Sequence, residues 1–341
     1  RRRASLVWAP ILLVLPGVAT TLANLSQDRL AGSQYLPVWI AFCAVLGIRF
    51  TMSELLLARQ LLTYSFFAFT LGIAAYWILI GTRPGRLIDM ISALAILWSG
   101  VGLTSAVRLP NWHRVAAAAV IALNAVSLYL GTARTATAVV ALTCVALIVV
   151  ANFKQRRWAF LFPAVVLMLG AAWLLSPLHR RRIFAGDQAL GFFGITINTN
   201  GRAEAASIIS SAERNANAIT GGGSGASTEV LNQESFILNT PHFEILRVYY
   251  DLGVLGVIAI ALVMAWMLLT PIRLWQKRRI GVVSAVSAVM AGVAILAFLA
   301  TDNPLSYPAF LLTAALMFRI LISPQKSSAG LAVKSATMTS E

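Results

Sequence analysis

Charge is scarce in this chain. Only 11% of its residues are Asp, Glu, Lys or Arg, against about 25% in a soluble domain. Acidic residues are scarcest, 12 against 27 basic ones, and histidine occurs three times and cysteine twice in 341 positions. Each shortage excludes something. So little charge, with 59% hydrophobic residues and a mean hydropathy of +0.79, excludes a soluble fold and puts the chain in a bilayer. Cys43 and Cys144 lie inside apolar runs. They read as small buried hydrophobes, without a disulfide framework or metal-ligand spacing. His113, His179 and His242 have no such spacing either, and no carboxylate cluster suits a divalent ion. We therefore expect no metal and no cofactor. The net charge of +15 does not indicate nucleic acid. The basic residues sit mainly at the ends of apolar runs, and no aromatic-and-basic stripe accompanies them.

What the chain has in quantity is hydrocarbon. Ten apolar runs of span length can be drawn, at 5–24, 34–50, 61–81, 87–107, 114–130, 132–152, 158–176, 245–270, 282–300 and 304–322. The expected fold is an all-α polytopic membrane protein of about ten transmembrane helices, with one long periplasmic loop containing short helices. Residues 1–176 hold helices one to seven, 177–244 the loop, 245–323 helices eight to ten, and 324–341 a disordered cytoplasmic tail. The chain opens at Arg1-Arg2-Arg3 without methionine. Nine more spans follow, so the first run reads as a span rather than a signal peptide, and the chain as a fragment of a longer one. No repeat of fixed period stands out, so inverted-repeat transporter architecture gains no support.

Alternating the runs puts 17 of the 27 Lys and Arg residues on the side of the N-terminus. That side is therefore cytoplasmic. The other ten oppose the rule, which suggests that something on the outer face needs them. The long loop lies on that face. It carries Arg180-Arg181-Arg182, a helix-like stretch at 202–218 and the run Gly221-Gly222-Gly223-Ser224-Gly225. A glycine run can hinge a lid or bring backbone amides to an anion.

His242 closes this loop. Thr240 is a candidate N-cap and Pro241 suits the first helical position. His242 then falls in the first turn, where the positive helix end disfavours imidazolium and keeps the ring neutral, as a general base requires. Arg134 stands among small residues at the outer mouth of the sixth run, fitting either an interfacial anchor or an anion contact. Arg202 follows Asn200-Gly201 at a helix start, where a solvated loop residue is the simpler reading. Arg247 lies three residues after Glu244 and four before Asp251. It fits an ion-paired trio on one helix face or a phosphate contact. Arg83 and Arg86 bracket a Pro-Gly turn, and Asp302 is placed to cap its turn or to pair with an outer arginine.

These residues, in order, resemble a family. Gly131-Thr132-Ala133-Arg134-Thr135-Ala136 is similar to the Ser-Arg-Thr-Ala signature of the O-antigen ligase and O-antigen/exopolysaccharide polymerase superfamily. Gly201-Arg202 resembles its Gly-Arg early in the periplasmic loop, and residues 221–225 its glycine-rich stretch. Pro241-His242-Phe243-Glu244 with Asp251-Leu252-Gly253 resembles its His-x10-Gly pattern, and Asn303-Pro304-Leu305-Ser306-Tyr307-Pro308 its final periplasmic turn. The resemblance spans about residues 83–322. Three departures bear on it. Ala133 stands where the family has Ser, Ala206 where the ligase branch often has Leu, and ten spans are fewer than about twelve.

The resemblance implies a bacterial inner-membrane glycosyltransferase with a periplasmic active face. The donor would be a glycan on undecaprenyl diphosphate, and the acceptor a sugar hydroxyl. Transfer would be inverting and metal-independent. His242 would be the catalytic base, and Arg134, Arg202 and Arg247 would hold the pyrophosphate. Polymerase is the preferred branch, with a chain-length regulator as a further partner. The alternatives are an O-antigen ligase acting on lipid A core, or a non-enzymatic flippase or transporter of an anionic lipid-linked glycan. Beyond these partners we expect membrane lipids and no nucleic acid.

Overall fold

The computed structural model describes residues 5–24, 26–28, 33–81, 85–104, 111–131, 134–152, 190–192, 195–197, 202–212, 217–234, 244–302 and 304–323. In chain order the helices are α1 (Ser5–Ala23), α2 (Tyr35–Gly47), α3 (Met52–Leu79), α4 (Arg86–Thr104), α5 (Asn111–Gly131), α6 (Arg134–Asn152), α7 (Arg202–Ala212), α8 (Ala226–Glu234), α9 (Glu244–Gln276), α10 (Val282–Thr301) and α11 (Pro308–Ile322). Between α6 and α7, β1 (Leu190–Phe192) and β2 (Ile195–Ile197) pair antiparallel, with Leu190 opposite Ile197. A turn of 3-10 helix, Pro304–Ser306, precedes α11.

The chain is a helical membrane-spanning protein. Among the described residues, five helices are long and apolar enough to cross a bilayer: Met52–Leu79, Arg86–Thr104, Trp112–Leu130, Glu244–Gln276 and Val282–Thr301. Shorter apolar helices cover Ala9–Ala23, Tyr35–Gly47, Arg134–Val150 and Pro308–Ile322. Nine of the ten predicted runs are therefore helical among the described residues. The seventh, 158–176, lies outside them, as does the tail 324–341.

Two of the boundaries that differ from the sequence reading have a clear local cause. The third helix starts at Met52 rather than at 61, because Thr51 and Glu54 form a capping box there. The Glu54 carboxylate accepts from the Thr51 amide at 2.7 Å, and Thr51 Oγ1 accepts from the Glu54 amide. A hydropathy window passes over such a polar first turn. The tenth run is broken by the 3-10 turn, and Pro308 takes the first position of α11, where no amide is needed.

α10 is central. It packs against α9, α6, α11 and α4, while α9 also packs on α1, and α11 on α2. Its buried face is a ladder of small residues, Ala285, Ala288, Ala291 and Ala294, which lets neighbouring backbones approach. α3 and α5 are peripheral, with 22% of their apolar windows buried against 61% for α4 and α10. A polar seam ties them in: Asn124 donates to Thr70 at 2.8 Å, Trp77 to Ser127 at 3.2 Å, and Trp98 of α4 to Thr63 at 3.0 Å.

Alternating helix direction sorts the described connections to two ends. Arg319 donates to the Ile48 carbonyl at one end. At the other, Arg86 meets Asp302, Thr135 meets Thr301, and Arg247 meets Ser306. That second end also receives α7 and α8, which pack on each other and on α9. Their small core is Ala205, Ile209, Ala226, Leu231 and Tyr250.

Candidate functional site

The site is built around a break in α9. Gly253 has φ 63 and ψ −161, so the helix divides into 244–252 and 254–276. The second part, 23 residues, is ~35 Å long at ~1.5 Å per residue. It crosses ~30 Å of hydrocarbon unaided. The first part, with Glu244, Arg247 and Asp251, is not needed for that span.

A helix break leaves carbonyls and amides without partners, which in a bilayer protein must be met by other protein groups. The glycine run meets them. Gly222 donates to the Tyr250 carbonyl at 2.8 Å and Gly223 to that of Asp251 at 2.9 Å. Beyond the break, Val254 donates to Ala218 at 3.0 Å and Leu255 to Ile219 at 3.3 Å. Gly221, at φ 74, presses its backbone onto Asp251 and Gly253.

The run thus brings amides to an anion, as its composition suggested. The anion is the protein's own Asp251 carboxylate. Gly225 donates to Oδ2 at 3.0 Å and Ser227 to Oδ1 at 2.8 Å. These are amides at the start of α8, so a side chain from α9 caps another helix and faces its positive end. The Tyr35 hydroxyl adds a third bond to Oδ2, at 3.2 Å. The run is held on both sides of the break, and is not an open hinge.

Arg247 is 3% exposed, and Glu244 and Asp251 are fully buried. The guanidinium lies 3.4 Å from Glu244 Oε1 and 4.0 Å from Asp251 Oδ2. It donates to Ser306 Oγ at 3.2 Å and sits 4.4 Å above the Tyr35 ring. The ion-paired trio that its spacing allows is present.

Arg134 is the first residue of α6 and is half-buried. The next residue, Thr135, bonds Thr301 at 2.7 Å, fixing the start of α6 beside the end of α10. Immediately after Thr301, Asp302 accepts from Arg86 at 3.1 Å. Of the two placements expected for Asp302, turn cap or arginine partner, the pairing is present, and Arg86 is that arginine. Nearby, burial pushes the Tyr307 phenol up; the Asp302 carboxylate adds to this, the Arg86 charge opposes it, and Glu244 adds a little.

Arg202 is the first residue of α7, where a helix start was expected. His242 lies outside the described residues, as do Thr240 and Pro241; the described helix begins two residues after it, at Glu244. The structure therefore brings Arg134 and Arg247 to one end of the bundle and starts α7 at Arg202.

The sequence reading missed Tyr35 and the role of Asp251. Tyr35 reads simply as an aromatic at the start of an apolar run. Asp251, two residues before a glycine inside an apolar span, was the available signal: an acid there needs partners from elsewhere. No family model matches this chain, and no curated protein sequence matches it.

Proposed function

We propose that the protein is an inner-membrane glycosyltransferase that moves a glycan from undecaprenyl diphosphate to a sugar hydroxyl at the periplasmic face. In the reaction, the acceptor oxygen attacks the anomeric carbon and His242 takes its proton. The bond from that carbon to the diphosphate oxygen breaks, with inversion, and undecaprenyl diphosphate leaves. Arg134 and Arg202 hold the departing diphosphate and stabilise its growing charge. Arg247, enclosed by Glu244 and Asp251, acts on the same region mainly by holding the first part of α9.

The observation that carries this reading is a convergence. The start of α6 with Arg134, the Arg86–Asp302 pair, Arg247 and the glycine run lie at one end of the bundle. It is the end where the charge rule disfavours arginine. The helix after His242 begins there too.

The test is transfer by the purified protein in lipid nanodiscs, with an undecaprenyl-diphosphate glycan as donor. Elongation of a second lipid-linked glycan supports the polymerase reading, and transfer to lipid A core the ligase. Translocation of the donor without a new glycosidic bond overturns both in favour of a flippase.

A further inference from the structure

The Asp251 carboxylate joins three parts of the chain, α2, the start of α8 and the first part of α9. It caps the N-terminus of α8 through Gly225 and Ser227, receives the Tyr35 hydroxyl from α2, faces Arg247 one turn earlier, and stands on the helix that breaks at Gly253. A salt bridge alone does not need such an arrangement. With Gly222 and Gly223 on the adjoining carbonyls, the bonds make residues 221–227 and 244–252 one body. Tyr35 ties that body to α2 twice, by its hydroxyl on Asp251 and by its ring beneath Arg247.

We propose that Asp251 and Tyr35 are positioning residues for glycosyl transfer: together they lock the glycine segment and the first part of α9 against α2, fixing one wall of the outer-end site. This rests on the function proposed above. Neither residue touches the reacting atoms. Their effect comes through geometry, because misplacing reacting groups by ~1 Å costs ~100-fold in rate. Tyr35 is well suited to such a role. Its ring and hydroxyl act on two oppositely charged neighbours, so removing the hydroxyl loosens the wall and leaves the ring over Arg247.

The experiment compares Tyr35→Phe and Asp251→Asn with wild type in nanodiscs, by amide hydrogen exchange across residues 217–234 and by steady-state transfer. Both variants should raise exchange at Gly222, Gly223, Gly225 and Ser227 and leave α10 protected. Transfer by Tyr35→Phe should show kcat ~10-fold lower, and Asp251→Asn ~100-fold lower, with KM for both substrates within about threefold. Should Asp251→Asn fail to fold, Tyr35→Phe alone decides. Unchanged exchange in Tyr35→Phe overturns the lock. Raised exchange with unaltered kcat, or a rise in KM alone, overturns the positioning role. If wild-type protein transfers nothing, the proposed function and the positioning role fall with it, while the exchange data still decide whether the lock exists.

Discussion

Gly221 and Gly253 lie back to back, so close that neither can carry a side chain. A Cβ on Gly221 would stand 2.6 Å from the Gly253 nitrogen, and one on Gly253 2.7 Å from that of Gly221. Both residues also have positive φ, at 74 and 63. The break in α9 and the seat of the glycine run are therefore one feature, made by two residues distant in sequence. Gly221→Ala and Gly253→Ala should each cost at least ~1–2 kcal/mol from backbone strain, and more from the contact. Gly72→Ala is the control, since nothing lies within 4 Å of a Cβ there. Thermal unfolding in nanodiscs measures all three, and equal midpoints would contradict the back-to-back packing.

Arg247→Ala would leave Glu244 and Asp251 buried without the guanidinium between them. Breaking one side of a buried pair costs ~3–5 kcal/mol. We expect a much lower unfolding midpoint and poor recovery of folded protein. An unaltered midpoint would mean that the trio contributes nothing to stability.

The Arg86–Asp302 pair is more open, with side-chain exposures of 35% and 12%. Exposed pairs are worth ~0–1 kcal/mol. A double-mutant cycle with Arg86→Ala and Asp302→Ala should return a coupling of about that size. A coupling several times larger would show that the burial of Asp302 governs the pair rather than the openness of Arg86.

Arg134→Lys keeps the charge at the start of α6 and loses the planar fork that grips two oxygens. Transfer should fall ~100-fold, as for loss of one preorganised donor. The Thr135–Thr301 bond and the unfolding midpoint should be unaffected. Wild-type turnover would reduce Arg134 to an interfacial anchor.

Much of the fold was legible, because bilayer spans announce themselves by length and apolarity. The start of α3 was missed by hydropathy although Thr51-Met52-Ser53-Glu54 spells its capping box. The β1–β2 pairing lay in a stretch with no period to read. At the site, the His242–Gly253 spacing was visible in the sequence, but not the reason for Gly253. That reason is the approach of residues 219–223 to the break, a contact between distant parts of the chain. The bonds from Tyr35, Gly225 and Ser227 to Asp251 were hidden for the same cause. Arg247 was ambiguous by spacing, because one pattern of charges serves both an internal trio and a ligand. The structure shows the trio, with Arg247 buried between Glu244 and Asp251.

The most direct test is transfer by His242→Ala beside wild type, with an undecaprenyl-diphosphate glycan as donor and circular dichroism and unfolding midpoint as checks on folding. The account predicts a fold indistinguishable from wild type and transfer reduced at least ~100-fold, the lower part of the range for a positioned general base. Near-normal transfer by a folded His242→Ala protein would contradict it.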